Sequence, residues 1–202
     1  MKKKLMYFIV LFMVLHVLSC ATTKVNRVDA SQQIDLSGFW NDTDVRIVCE
    51  SLINDCLKSE RVAMTIADMK NKTPVVLVGN FRNESNEHIN TAIISTMMET
   101  VIFNSGILDF VAGGSVREEL RTERLEQQGN ASEQTAKRLA NETGADFLLT
   151  GSVRSIVDRA GNQSVRTYFV SAELTNIENN QRMWMATNSQ IKKIIKQPKN
   201  RI

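Results

Sequence analysis

Apolar residues dominate the start of the chain and never again run so long. Positions Leu5 to Leu18 are apolar except for His16, and they follow Lys2, Lys3 and Lys4. A positive start followed by a short apolar run is the layout of a secretory signal. Fourteen helical residues span roughly 21 Å, less than the roughly 30 Å hydrocarbon core. The pattern therefore predicts an export signal over residues 1–19 rather than a permanent span. Residues 21–38 are polar and lack a sustained period, so they read as a flexible tether, at most about 60 Å long when extended.

Regular periodicity begins at residue 39. Asn41 with Asp44 three residues on is a capping box, Trp40 and Val45 stand where a hydrophobic staple forms, and a helix is predicted from Asp42 to Lys58. The β-branched run Thr73 to Phe81 predicts a buried strand. A second helix follows from Ile89 to Ser105, stopped by Gly106, and then a short strand from Ile107 to Ala112. Ser115 with Glu118 opens a third helix, and a fourth runs from Ser132 to Gly144. The period then changes to two. Ala145 to Val157, Ser164 to Ile177 and Arg182 to Ile191 read as long strands joined by tight turns. The expected class is α/β (α+β): a single mixed, largely antiparallel sheet flanked by about four helices. The globular part is expected over 39–196, with a basic tail over 197–202.

Charge adds little to this frame. The precursor carries 25 basic and 22 acidic side chains, and loss of Lys2, Lys3 and Lys4 with the signal leaves the two signs equal. Nucleic acid is thus not an expected partner. The distribution is uneven, however. No acidic residue follows Glu178, whereas Lys192, Lys193, Lys196, Lys199 and Arg201 crowd the C-terminus. These five read as a solvated basic end, with contact to anionic lipid or a polyanionic wall polymer as the functional alternative.

Candidate chemistry is sparse. Beyond the signal stands a single histidine, His88, in the loop Asn83 to Asn90 near Glu84 and Glu87. A solvated loop histidine is the plain reading and a general base the alternative. No dedicated metal site, cofactor or catalytic group is expected. Gly113-Gly114-Ser115 lacks the lysine and spacing of a phosphate loop, and helix capping explains it. Cys49 and Cys56 lie seven apart on one predicted helix, about 10 Å along its axis, whereas a disulfide needs less than about 7 Å. They are expected in the core as small apolar side chains. The third predicted helix is rich in charge from Arg117 to Glu126, with like-charge pairs at i,i+4, so its side chains need partners elsewhere.

Val17-Leu18-Ser19-Cys20-Ala21 resembles the lipobox of bacterial lipoproteins. That resemblance implies diacylglycerol and palmitate on Cys20 after cleavage before it, and Ala21 in the following position implies the outer membrane. Ordinary cleavage leaving a free thiol, or an uncleaved short anchor, are the other readings. Further on, the chain resembles the LpoB family of outer-membrane lipoproteins that activate class A penicillin-binding proteins. The resemblance is carried by Ser37-Gly38-Phe39-Trp40-Asn41-Asp42, Pro74 to Gly79, Glu87-His88-Ile89, and Phe110-Val111-Ala112 through Arg117-Glu118-Glu119-Leu120-Arg121 to Gln127-Gln128. It continues through Thr143 to Phe147, Asp158-Arg159, Asn176-Ile177-Glu178, Trp184 and Ile191-Lys192-Lys193.

It implies a monomeric, non-catalytic domain resembling the N-terminal domain of TolB. Lipid would anchor it to the outer membrane, with the domain in the periplasm, where it regulates cell-wall synthesis by docking on a bifunctional peptidoglycan synthase. Asp158, Arg159 and Glu178 are the residues the resemblance points to as partner contacts. The alternative function is an envelope binding or assembly lipoprotein of the same fold with another protein or cell-wall partner. One departure stands out: the tether is short and lacks proline.

Overall fold

The computed structural model describes residues 25–29, 31–69, 72–111 and 144–197. The chain divides into a leading unit ending at Gln33 and a globular unit beginning at Ile34. In the globular unit the first helix, α1 (Asp42–Lys58), starts where the sequence places it. The Asn41 side chain accepts from the Asp44 N–H at 3.1 Å, and Asp44 returns the contact to the Asn41 N–H at 2.9 Å. Val45, Val48, Cys49, Leu52, Ile53 and Cys56 form its buried stripe, with both thiols free. A second helix, α2 (Glu60–Asp68), follows after Ser59 and was not predicted. It buries only Val62 fully, which is too little to mark a period.

Strand β1 (Val75–Asn83) leads to α3 (Thr91–Ser105), which ends on Gly106 at φ +64°, a left-handed conformation that glycine adopts without a Cβ clash. Edge strand β2 (Asp109–Phe110) is shorter than expected. The predicted third and fourth helices lie outside the described residues. Strands β3 (Phe147–Ala160), β4 (Gln163–Asn176) and β5 (Arg182–Asn188) form the expected antiparallel run. Beyond β5 comes a correction. Lys192–Lys196, read from sequence as part of a solvated basic end, is strand β6.

The sheet order is β2-β1-β3-β4-β5, with β6 pairing β4 off that path. β1 runs parallel to β2 and β3, and the other pairings are antiparallel. β4 is the spine. It pairs with β3 along its whole length, with β5 over Val170–Thr175 and with β6 over Gln163–Thr167. One face of the sheet carries Val76, Val78, Leu149, Val153, Val170 and Leu174, buried with α1 and α3 in a single apolar core. Two side-chain bonds join α1 to β5: Trp184 Nε1 donates to Asp55 at 2.8 Å, and Asn188 Nδ2 to Ser51 at 3.0 Å.

Gly151 marks the tightest crossing in this core. A Cβ there would lie 2.3 Å from both Phe81 Cε1 and the Ser171 carbonyl oxygen, and a backbone atom cannot swing aside as a side chain can. Gly151→Ala should therefore lower the unfolding free energy by about 2 kcal/mol or more, measured as a reduced urea midpoint at unchanged slope.

Candidate functional site

The polar side chains converge where the chain enters the globular unit. Lys193, on the inward face of β6, places Nζ 2.6 Å from Asp44 Oδ2, 2.9 Å from Asp35 Oδ1 and 2.9 Å from the Phe39 carbonyl oxygen. Its side chain is 11% exposed and that of Asp44 only 4%. Asp35 also accepts from Asn41 Nδ2 at 2.7 Å, so the lysine cage and the α1 cap are one network. Removal from water raises the Asp44 carboxyl above its usual range, and the Lys193 ammonium opposes that shift.

A second network lies beside it. Glu87 holds Arg166 at 3.0 Å, a close ion pair whose Nε–H is not aligned as a hydrogen bond. Tyr168 Oη lies 2.8 Å from both Glu87 oxygens and 3.4 Å from the Gly38 carbonyl oxygen. Burial, and then the bond to Glu87, push the Tyr168 phenol upward, so it stays protonated. A hydroxyl has one proton to give, and the shorter distance assigns it to Glu87. Gly38 is instead held by Arg166 Nη1 at 3.0 Å. Phe39 covers the Arg166 guanidinium at 4.5 Å, and Trp40 meets the Tyr168 ring edge-on at 5.1 Å. Residues 35–38, read from sequence as tether, are thus bonded into the domain.

Around this entry point the sheet narrows to β3, β4 and β6. On the Phe39 side lie two open clefts. Asn86, Ser155, Val157 and Arg159 border one of about 420 Å³, and Asn162, Ser164, Ile195 and Gln197 border one of about 510 Å³. The opposite face bears a third, of about 420 Å³, lined by Ile156, Asp158, Val165, Thr167, Lys192 and Ile194.

The sequence-derived contact residues are separated by this geometry. Asp158 and Arg159 are both exposed near the β3–β4 turn, but as strand neighbours they point to opposite faces. Glu178 is exposed in the β4–β5 turn, its N–H bonded to Asn176 Oδ1 at 2.9 Å. Val165 is the register partner of Asp158, and Asn176 stands eleven positions further along β4. That is about 35 Å of strand, so the three do not share one compact patch. Cys20, Gly113-Gly114-Ser115 and the charged stretch Arg117 to Glu126 lie outside the described residues.

Chemistry is less developed here than contact. Among the described residues no group of three His, Cys, Asp or Glu side chains is arranged to hold a metal ion. Burial pushes the Cys49 and Cys56 thiols up to about 12, so neither is a nucleophile near neutral pH. Sequence reasoning gave no site role to Lys193, Asp35, Arg166 or the Ile156–Ile194 face, and it named Glu87 only beside His88 and in the resemblance. Arg166 had a local signal, since it shares a period-two face with Tyr168 and Val170; the Lys193 pair spans 149 residues and had none.

Residues 44–189 match the model of a family described as the peptidoglycan-synthase activator LpoB. Among solved structures, the C-terminal domain of Escherichia coli LpoB is 16% identical with TM-score 0.48, covering 76% of this chain and 99% of its own. The NMR structure of E. coli LpoB is 14% identical with TM-score 0.44, covering 89% of this chain and 86% of its own. Lipoprotein GNA1162 of Neisseria meningitidis is 17% identical with TM-score 0.37, covering 61% and 83%. A search of curated protein sequences returned no match.

The lysine cage makes a signed prediction. With its folded value raised, Asp44 holds its proton more tightly in the folded state than in the unfolded chain. Its ionisation therefore works against folding as pH rises out of the normal aspartate range, and Lys193 offsets that cost. Lys193→Met should destabilise the protein by about 3 kcal/mol at pH 7, because it leaves a carboxylate buried without its cation. It should recover part of that loss in mild acid, where Asp44 takes up a proton. Urea denaturation of both proteins across pH 4–7 reads the difference; a constant gap between them would refute the cage.

Proposed function

This chain belongs to the LpoB family of peptidoglycan-synthase activators, and from that membership we propose that it is a non-catalytic regulator of cell-wall synthesis docking on a class A penicillin-binding protein. Lipid on Cys20 anchors it to the outer membrane, with the globular unit in the periplasm. The observation that carries the reading is the extent of the family match, from the first turn of α1 to the end of β5.

An activator of this kind acts by binding the synthase's active conformation more tightly than its inactive one, since equal affinity for both would shift nothing. A tenfold preference corresponds to about 1.4 kcal/mol, within reach of a few contacts.

The geometry favours one end of the domain for docking. The chain enters at Gly38, beside Arg166 and Tyr168 on β4, whereas Glu178 lies at the far end of that strand. Thirteen residues lie between Cys20 and Ile34 and extend at most about 45 Å. With so little tether, the length of β4 adds usefully to reach, and the Glu178 turn follows the end of that strand opposite the entry point. We assign docking to that end. Asp158 and Arg159 stand at the entry end and serve as the comparison.

Purified protein added to class A synthases should raise the rate of lipid II polymerisation. Glu178→Lys should raise the concentration for half-maximal activation about tenfold, while Arg159→Glu changes it less than about twofold. No rate change with any class A synthase would overturn the activator reading, and the reverse order of the two variants would move docking to the entry end. Independently, Cys20→Ala should abolish palmitate labelling in cells; label retained by that variant would refute the anchor.

A further inference from the structure

Strand β6 gives the basic end of the chain a defined surface. Its side chains alternate. Lys193 and Ile195 face the entry point, and a Cβ on Gly38 would come within 2.0 Å of Ile195 Cδ1. Lys192, Ile194 and Lys196 face the other way and are exposed. On that outer face the register sets Val165 between Ile194 and Asp158, and Thr167 between Lys192 and Ile156. Ile156 is 62% exposed and Ile194 67%. Neither Lys192 nor Lys196 has an ion-pair partner among the described residues, and Asp158 is the acidic side chain on this face. The sequence continues to Lys199 and Arg201 with no acidic residue.

Exposed isoleucines ringed by lysines match the chemistry of a lipid–water boundary. The apolar groups enter the headgroup zone, while the lysine stems lie along it with their ammonium groups on lipid phosphates. The place of the patch on the molecule selects this occupant. The chain enters the domain against one face of β6 and the patch is the other face of the same strand, so the entry segment and the patch share one end of β4. We propose that the Ile156–Ile194–Lys192–Lys196 face seats on the anionic lipid surface to which the chain is anchored. The inference rests on the reading of Cys20 as lipidated. Tethering raises the effective concentration of that surface to the order of millimolar, so a contact too weak to recruit the free protein is populated in the anchored one. The Glu178 turn then points to the opposite end of β4 and stays available to the synthase.

The test uses the lipidated protein in vesicles of equal parts phosphatidylglycerol and phosphatidylcholine, doped with a nitroxide-headgroup lipid. One fluorophore is attached through Asn162→Cys, in the β3–β4 turn, or through Asn179→Cys, in the β4–β5 turn. The buried native thiols do not compete for label. Quenching at position 162 should exceed that at 179 at least fivefold. It should fall to the level at 179 in vesicles of phosphatidylcholine alone, and in the double variants Lys192→Glu/Lys196→Glu and Ile156→Asp/Ile194→Asp, with folding checked by circular dichroism. Equal quenching at both positions, or quenching indifferent to both double variants, overturns the proposal.

Flotation separates the two readings. A chain that floats without quenching at 162 keeps its anchor and loses its seat, whereas a chain that does not float overturns both. In detergent, where no bilayer exists, both double variants should activate the synthase as the parent does. Loss of activation there would place this face in the protein interface and remove the lipid assignment.

Discussion

Lys193 is the side chain on which the rest of the globular unit turns. It takes a cation from the last strand into a nearly dry site between the first helix and the segment that precedes it, and there it meets two carboxylates and a carbonyl oxygen. Burying such a cluster yields little net stability, because desolvation of the charges consumes most of their attraction. What it gives is uniqueness. A one-residue slip of β6 would turn Lys193 to solvent and leave Asp44 ionised without a counter-charge, while Ile194 would replace it between the carboxylates. The cage therefore fixes at once the register of β6, the start of α1 and the direction from which the chain arrives. Glu87, Arg166 and Tyr168 repeat the device a strand away, and both networks end on backbone carbonyls of the entry segment, at Gly38 and Phe39.

Two different ends follow from that arrangement. β4 is long enough to carry β5 on one half and β6 on the other, and the helices cover one face of the core. At the β5 end α1 is tied to the sheet through Trp184 and Asn188. At the β6 end the buried face changes character from apolar to ionic, where Arg166 and Lys193 meet the entering chain and the first turn of α1. On the proposed reading, in which the domain is held by one end and touched at the other, such an asymmetry is useful, and a symmetric sandwich would not supply it.

How much of this was legible beforehand differs element by element. α1 was fully legible, since its cap, its stripe and its two buried cysteines are encoded in Asn41 and the seventeen residues that follow it. The three long strands were legible from period two, with ends shifted by a few residues. α2 was not, because Val62 alone is fully buried and a helix that touches the core at one point leaves almost no periodic trace. β6 was misread for a different reason. Lys192-Lys193-Ile194-Ile195-Lys196 does not alternate in hydropathy, since each face of the strand mixes isoleucine with lysine, and its burial is decided by a partner 149 residues away. Asp158 and Arg159 show the opposite hazard. The two are adjacent in sequence, yet strand geometry sends them to different faces.

The short tether, the weakest point of the activator reading on sequence grounds, changes meaning once the entry segment is placed. Residues 35 and 38 are bonded into the domain, so on the proposed reading only the residues before them serve as tether. A long tether decouples a domain from its anchor, so that any face can meet any partner. A short one with a rigid root makes position a property of the fold, and which end of β4 the chain enters then decides what each end can touch. If the root were loosened, the same domain on the same lipid would search a larger volume with less preference among its faces, and its reach would increase as its orientation was lost. On the proposed reading, the balance between reach and orientation is set in this chain by one lysine and one arginine on neighbouring strands.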